Sequence, residues 1–307
     1  MRKIVIIPSF ADYHLLKCWI SNILEVLEPD YILINVGLFP RGPENKTPID
    51  SSFRSRWCHM VQPNAGFDLS SVLDMVYKHS FDGLHIQVLN YNSTDANDCF
   101  IEAISNFADI EIQEGDIIFP LEPDAFVLEG DMEIINSEIS KLKPGEGVSC
   151  KWVDFLETQY YTEAINIVQP KYRRFAYCFD NIENYKAAMC GFMSQNYSKL
   201  RKVDSFFIRH YCWFQPEPYK QLRFELIYRS DPKYWKQFDS GLTEIRRRSI
   251  EYEKWETAQL DEMPNVQRVT IRPSRFDDGR YAQFININHP KHIQSHPNFV
   301  RLDFKDE

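Results

Sequence analysis

The stretch most able to do chemistry is Gly115-Asp116-Ile117-Ile118-Phe119-Pro120-Leu121-Glu122-Pro123-Asp124-Ala125-Phe126. A wholly apolar strand runs into two carboxylates spaced i and i+2, and a second apolar run, Ala125-Phe126-Val127-Leu128, follows at once. In an extended chain such residues project to the same side, so Glu122 and Asp124 are expected to converge at the carboxyl end of a sheet. Open parallel sheets bind their ligands at that end. Two hard oxygen donors there suit Mg²⁺ or Mn²⁺ carrying a diphosphate, whose charge the ion offsets. A solvated loop with scattered acids is the bland alternative, and the apolar runs on both sides of the pair argue against it.

The elements that must position this pair read as alternating strand and helix. Lys3-Ile4-Val5-Ile6-Ile7-Pro8 and Tyr31-Ile32-Leu33-Ile34-Asn35-Val36 are continuous apolar runs, as buried parallel strands require. Between them Leu15, Leu16, Trp19, Ile20, Ile23, Leu24 and Leu27 recur at helical spacing after Asp12 and stop before Pro29. Residues 37–67 are rich in Gly, Pro, Ser and Asn and form a candidate functional loop. A short helix around Val72–Tyr77, a strand at 84–89, a helix holding Phe100, Ile101, Ile104 and Phe107, and strands at 116–121 and 125–128 complete the first half. The pattern predicts a parallel sheet with helices on both faces. Further on, strands are expected at 163–169, 173–178, 187–193 and 203–213, helices at about 216–228 and 240–258, and strand-like tail segments at 266–271 and 282–287.

The composition bounds the answer. With 307 residues, 44% hydrophobic and 26% charged, the chain is a folded globular protein rather than a disordered one. No run approaches the roughly 18 apolar residues of a membrane-spanning helix, and Met1-Arg2-Lys3 with its short apolar sequel reads as neither signal peptide nor anchor. Seven cysteines, none closer than twelve residues to the next, spell neither a disulfide framework nor a zinc knuckle, so reduced thiols and a cytoplasmic location are the expectation. Charge is divided unevenly. Residues 1–150 carry 10 basic and 23 acidic side chains, a net of −13, and residues 151–307 carry 25 and 21, a net of +4, which together give −9. The halves are built to meet different partners.

The order of elements, the first strand ending in Pro8-Ser9, the helix from about Asn97 that feeds Gly115–Phe119, and the Leu-Glu-Pro-Asp-Ala-Phe turn together resemble the GT-A nucleotide-sugar glycosyltransferases, especially the family-2-like group. The resemblance spans roughly residues 3–215. It implies an α/β fold of Rossmann-like GT-A type: a mixed, mainly parallel sheet with helices on both faces and a C-terminal helical and strand extension. It divides the chain into a donor-binding half, 1–130, an acceptor and catalytic half of the same domain, 131–215, and the extension, 216–307. In that group the acidic turn is an Asp-x-Asp motif, of which Glu122-Pro123-Asp124 is a variant. By the same resemblance, Pro8, Ser9, Phe10, Asn97, Glu122 and Lys186 bind the nucleotide sugar. His210, at the end of the late apolar strand 203–209, completes the metal shell with Glu122 and Asp124, since a borderline ion such as Mn²⁺ tolerates an imidazole beside oxygens. A core histidine bonded to backbone is the competing reading for His210. Where this group has an aspartate-rich turn after the second strand that reads uracil, Val36-Gly37-Leu38-Phe39-Pro40 stands instead. A UDP-sugar remains the expected donor.

Inverting transfer requires a carboxylate to take the acceptor's proton. Asp154, between Trp152 and Phe155, and Asp180 are the leading candidates, with Glu157 and Glu183 behind them. Basic clusters at Lys171/Arg173/Arg174, Lys199/Arg201/Lys202, Arg246-Arg247-Arg248 and Arg268/Arg272/Arg275/Arg280 read singly as solvated faces and jointly as a surface for a polyanion. The acceptor is accordingly a glycan or a hydroxymethylated pyrimidine in DNA, of the kind phages decorate. His289, His292 and His296 have metal-like spacing, but Pro290 and Pro297 favour an ordered cap over the core. Two other functions compete: a non-catalytic nucleotide- or sugar-binding module with a degenerate acidic motif, and a nucleotidyltransferase, against which stands the lack of a Gly-rich basic loop after the first strand.

Overall fold

A computed structural model describes residues 1–9, 13–36, 81–88, 104, 110–155, 161–163, 171–189, 199–211, 266–267, 282–285, 287–296 and 299. Its strands are β1 (Lys3–Ser9), β2 (Tyr31–Val36), β3 (Leu84–Val88), β4 (Ile117–Pro120), β5 (Ala125–Phe126), β6 (Gly147–Asp154), β7 (Tyr161–Glu163), β8 (Lys171–Cys178), β9 (Leu200–His210), β10 (Val266–Gln267) and β11 (Ala282–Ile285). The helices are α1 (Tyr13–Val26), α2 (Met132–Ile139) and α3 (Ile182–Met189). Eight strands form one sheet in the order β3-β2-β1-β4-β8-β6-β9-β5, and β10-β11-β7 form a second.

The first four strands are parallel. β8 then runs antiparallel to both β4 and β6, β6 pairs parallel with β9, and β9 pairs antiparallel with β5. This is a mixed, mainly parallel α/β sheet, continuous across residue 130, so the two expected halves share one sheet. Alternation along β1 explains why both faces are covered. Val5 and Ile7 join the core cluster that holds Leu15, Leu16, Trp19, Ile20 and Ile23 of α1. Ile4 and Ile6 point to the other face and join Tyr185, Ala188 and Met189 of α3.

α1 does more than fill space. Buried Trp19 donates its indole N–H to the Ala125 carbonyl at 2.8 Å. Asn22, equally buried, exchanges two hydrogen bonds with the Val127 backbone, at 2.7 and 2.9 Å. The helix therefore fixes the strand that leaves the Glu122–Asp124 turn.

Three local expectations are corrected. The strand expected from residue 187 is, through Met189, the helix α3. Its first turn is capped by Asn181, whose side-chain oxygen accepts from the Asn184 N–H at 2.9 Å, and Tyr185, Ala188 and Met189 bury one helical stripe. Glu122 to Asp124 is not extended, because the Ala125 N–H returns to the Glu122 carbonyl at 3.0 Å and closes a turn with Pro123 inside it. The pair converges through that turn. Finally, β6 and α2 appear where no element was expected. α2 buries only Ile135 and Ile139, too few for a clear period. The expected helices at 72–77, 216–228 and 240–258 and the loop 37–67 lie outside the described residues.

Candidate metal centre at the carboxyl edge of the sheet

β1 is flanked by β2 on one side and β4 on the other, so strand order reverses between β1 and β4, where doubly wound sheets open a ligand crevice at their carboxyl ends. Ile6 pairs with Pro120, and the Leu121 N–H donates to the Ile6 carbonyl at 3.1 Å. Ser9 and the Glu122–Asp124 turn thus emerge at the same edge. β9 brings the third group there: in register, His210 lies opposite Ala125 of β5 and opposite Asp154 of β6. Backbone bonds lock this junction from both sides, Tyr211 N–H to the Asp124 carbonyl at 2.8 Å and Phe155 N–H to the His210 carbonyl at 2.7 Å.

The side chains then meet. His210 Nε2 lies 3.0 Å from Asp124 Oδ1 and 3.2 Å from Glu122 Oε2, while its Nδ1 lies 2.6 Å from Asp154 Oδ1. A carboxylate only accepts, so Nδ1 carries a proton toward Asp154. Nε2 faces two further carboxylate oxygens, so either a metal cation or a second ring proton lies between them. Glu122, Asp124 and His210 form the metal-competent group among the described residues, their ligand atoms lying within 4.8 Å of one another. Two oxygens and one imidazole nitrogen, with the other ring nitrogen held by a carboxylate, fit Mn²⁺ and similar divalent ions.

Arg173 and Trp152 complete the surroundings. Arg173, from β8, places its guanidinium 3.5 Å from Asp154 Oδ2 and 3.9 Å from Glu122 Oε1, and 4.7 Å from the Trp152 ring centroid. Trp152 in turn meets the His210 ring edge-on at 5.1 Å. Three carboxylates thus face one guanidinium and one imidazole among the described residues, an excess of negative charge that a divalent cation would balance. Trp152 is expected here only as the neighbour of Asp154, and Arg173 is not expected at all. Arg173 lies in a basic cluster that reads as a solvated face, and only the β6–β8 register, Cys150 opposite Arg173, turns it toward the acids.

The other expected site residues are placed as follows. The backbone of Pro8 and Ser9 ends β1 at the site edge, whereas Phe10, Asn97 and Glu157 lie outside the described residues. Asp154 is in the site, but both its oxygens are engaged, one by His210 and one by Arg173, which is not the open geometry of a base awaiting an acceptor. Asp180 is not brought to the site. It follows β8, whose Cys178 end pairs with Ile117 at the amino edge of β4, and it accepts from Tyr177 Oη at 2.7 Å and from Asn184. Burial raises the Asp180 pKa, but these bonds outweigh it and hold the net value below the ordinary one. Lys186 and Glu183 pair with each other at 3.4 Å on the solvent side of α3.

The tail histidines have separate partners: His289 Nδ1 meets Tyr211 Oη at 2.6 Å, His292 Nε2 meets Glu25 at 2.7 Å, and His296 is buried. With Ile293 in the core, the segment 287–296 is a cap over α1. Among the described residues, no helix is long and apolar enough to cross a membrane.

No family model matches the chain, and no curated protein does. Among solved structures, it is similar to residues 1–349 of TarS from S. aureus, at 10% identity over 94% of this chain and 100% of that one, with a TM-score of 0.36. It is similar to the 2-C-methyl-D-erythritol 4-phosphate cytidylyltransferase of Francisella tularensis, at 9% identity over 73% and 98%, with a TM-score of 0.34. A mannose-6-phosphate isomerase from Helicobacter pylori is similar at 13% identity over 91% and 89%, with a TM-score of 0.30.

Proposed function

We propose that this chain is a metal-dependent glycosyltransferase that moves a sugar from a nucleotide-sugar donor to an acceptor hydroxyl. The observation that carries the reading is the convergence of Glu122, Asp124 and His210 Nε2 at the carboxyl edge of the sheet, beside the reversal of strand order at β1. A divalent cation held there supplies the charge that a departing nucleoside diphosphate needs. Glu122 and Asp124 hold the oxygen side of that site and His210 the nitrogen side. The end of β1 at Pro8-Ser9 offers backbone against which the donor nucleotide lies, and Arg173 supplies a second positive charge in front of the phosphates. UDP-sugars are the first donors to test. The acceptor is a glycan or a hydroxymethylated pyrimidine in DNA, and the net charge of +4 over residues 151–307 favours the polyanion.

A thermal-shift panel of nucleotide sugars with and without Mn²⁺ tests the reading. The matching donor at a hundredfold its Kd adds about 2.7 kcal/mol, only with the metal and not in Asp124→Ala. A gain that survives that substitution, or that needs no metal, sinks the proposal. Nucleotidyl transfer, which the same carboxylate and imidazole group would also serve, is separated by product: pyrophosphate released from a nucleoside triphosphate rather than a nucleoside diphosphate from its sugar.

A further inference from the structure

Asp154 is buried, with 7% of its surface exposed. Its Oδ1 lies 2.6 Å from His210 Nδ1. The pairing is no accident of side-chain reach. β6 and β9 are parallel neighbours with Asp154 opposite His210, and the Phe155 N–H anchors the His210 carbonyl directly below. On its other side, β9 is tied to the acidic turn through Ala125 opposite His210 and through Tyr211 N–H to Asp124. One residue of β9 is therefore held between the turn that carries the oxygens and the strand that carries Asp154. A histidine ring fixed only at its Cβ swings, and either nitrogen can face the ligands. An acceptor on Nδ1 removes both freedoms, since it pins the ring and leaves Nε2 with its lone pair aimed at the ion site.

We infer that Asp154 is a positioning residue of the metal centre: it sets the tautomer and orientation of His210, so that Nε2 completes a site with Glu122 and Asp124. This rests on the metal reading above, and it replaces the role of proton acceptor that the sequence suggests for Asp154. The two roles predict opposite results. A base that acts on the acceptor leaves metal affinity untouched when removed, whereas a carboxylate that orients a ligand changes it. Loss of such a partner typically weakens metal binding about 10- to 100-fold.

The test is Mn²⁺ binding to the full chain, measured by calorimetry, without donor or acceptor. Asp154→Ala is expected to bind about 10- to 100-fold more weakly than the parent. Asp154→Asn, which keeps an oxygen that accepts from Nδ1, is expected to fall between the two. In Co²⁺-loaded protein, the visible absorption that reports nitrogen ligation is expected to diminish in Asp154→Ala and to be lost in His210→Ala. Should Asp154→Ala fail to fold, as judged by its unfolding transition, Asp154→Asn carries the test through a several-fold loss of affinity. Parent-like Mn²⁺ affinity in a folded Asp154 variant overturns the inference and leaves the metal reading intact. A parent protein that binds no Mn²⁺ overturns both.

Discussion

Around the acidic turn, single side chains decide the charge balance. Arg173 is the cation facing Glu122 and Asp154 among the described residues, at 3.9 and 3.5 Å, and it repels a metal ion as much as it attracts a phosphate. Arg173→Met should therefore bind Mn²⁺ more tightly, by about 1 kcal/mol or about fivefold, and UDP in the presence of Mn²⁺ more weakly. Sequential titration of metal and then nucleotide reads both, and a change of the same sign in the two would refute the assignment. Much of this site was legible along the chain. Glu122 and Asp124 stood out because apolar runs flank them on both sides, and His210 because it ends such a run. Arg173 and the true partner of Asp154 did not, because they depend on which strands become neighbours, and β6 reaches both β8 and β9 through pairings distant in sequence.

Among the elements, legibility followed the strength of the hydrophobic period. α1 buries Leu15, Leu16, Trp19, Ile20 and Ile23 completely, and a helix that apolar is unmistakable. The end of α3 reads as the start of a strand because Ala187, Ala188 and Met189 run together, and the signal that decides for a helix is the Asn181 cap. Val148, Cys150 and Trp152 alternate with Gly147, Ser149 and Lys151 along β6, but glycine, serine and cysteine carry little strand propensity and leave that period faint. Gly147 is required where it stands: a Cβ there would sit 2.4 Å from Leu200 and 2.9 Å from the Ala176 carbonyl. The element on which the site leans most is α1, through Trp19 and Asn22. Trp19→Phe keeps most of the packing but leaves the buried Ala125 carbonyl without its indole partner, so a loss of roughly 1–3 kcal/mol is expected in urea unfolding. Because Ala125 follows Asp124 directly, the same variant should also bind Mn²⁺ more weakly. A loss of stability with unchanged metal affinity would mean that the turn holds itself.

For the molecule as a whole, pH acts through a histidine remote from the chemistry. Burial pushes His296 down to about 4 from an ordinary 6.5, so the native state holds it neutral. Between those two values the unfolded chain takes up a proton that the native state refuses, so stability falls as pH drops through that window and levels off below it. Carboxylates held low, such as Asp116 beside Arg2, lose their contribution only at more acid pH. Denaturant midpoints followed across the window should show the decline, and His296→Gln should flatten it. An undiminished slope in that variant would assign the effect elsewhere.

The cap that carries His296 also bears on how the protein is made. Synthesis delivers β1 and α1 long before the cap partners of α1. Glu25 meets His292 across 267 residues, and Ile293 sits in the core cluster with the buried face of α1. A nascent chain that has formed β1 and α1 must therefore leave part of that face uncovered until the cap segment has been made. The growing chain is in consequence a natural client for chaperones that bind exposed apolar helices.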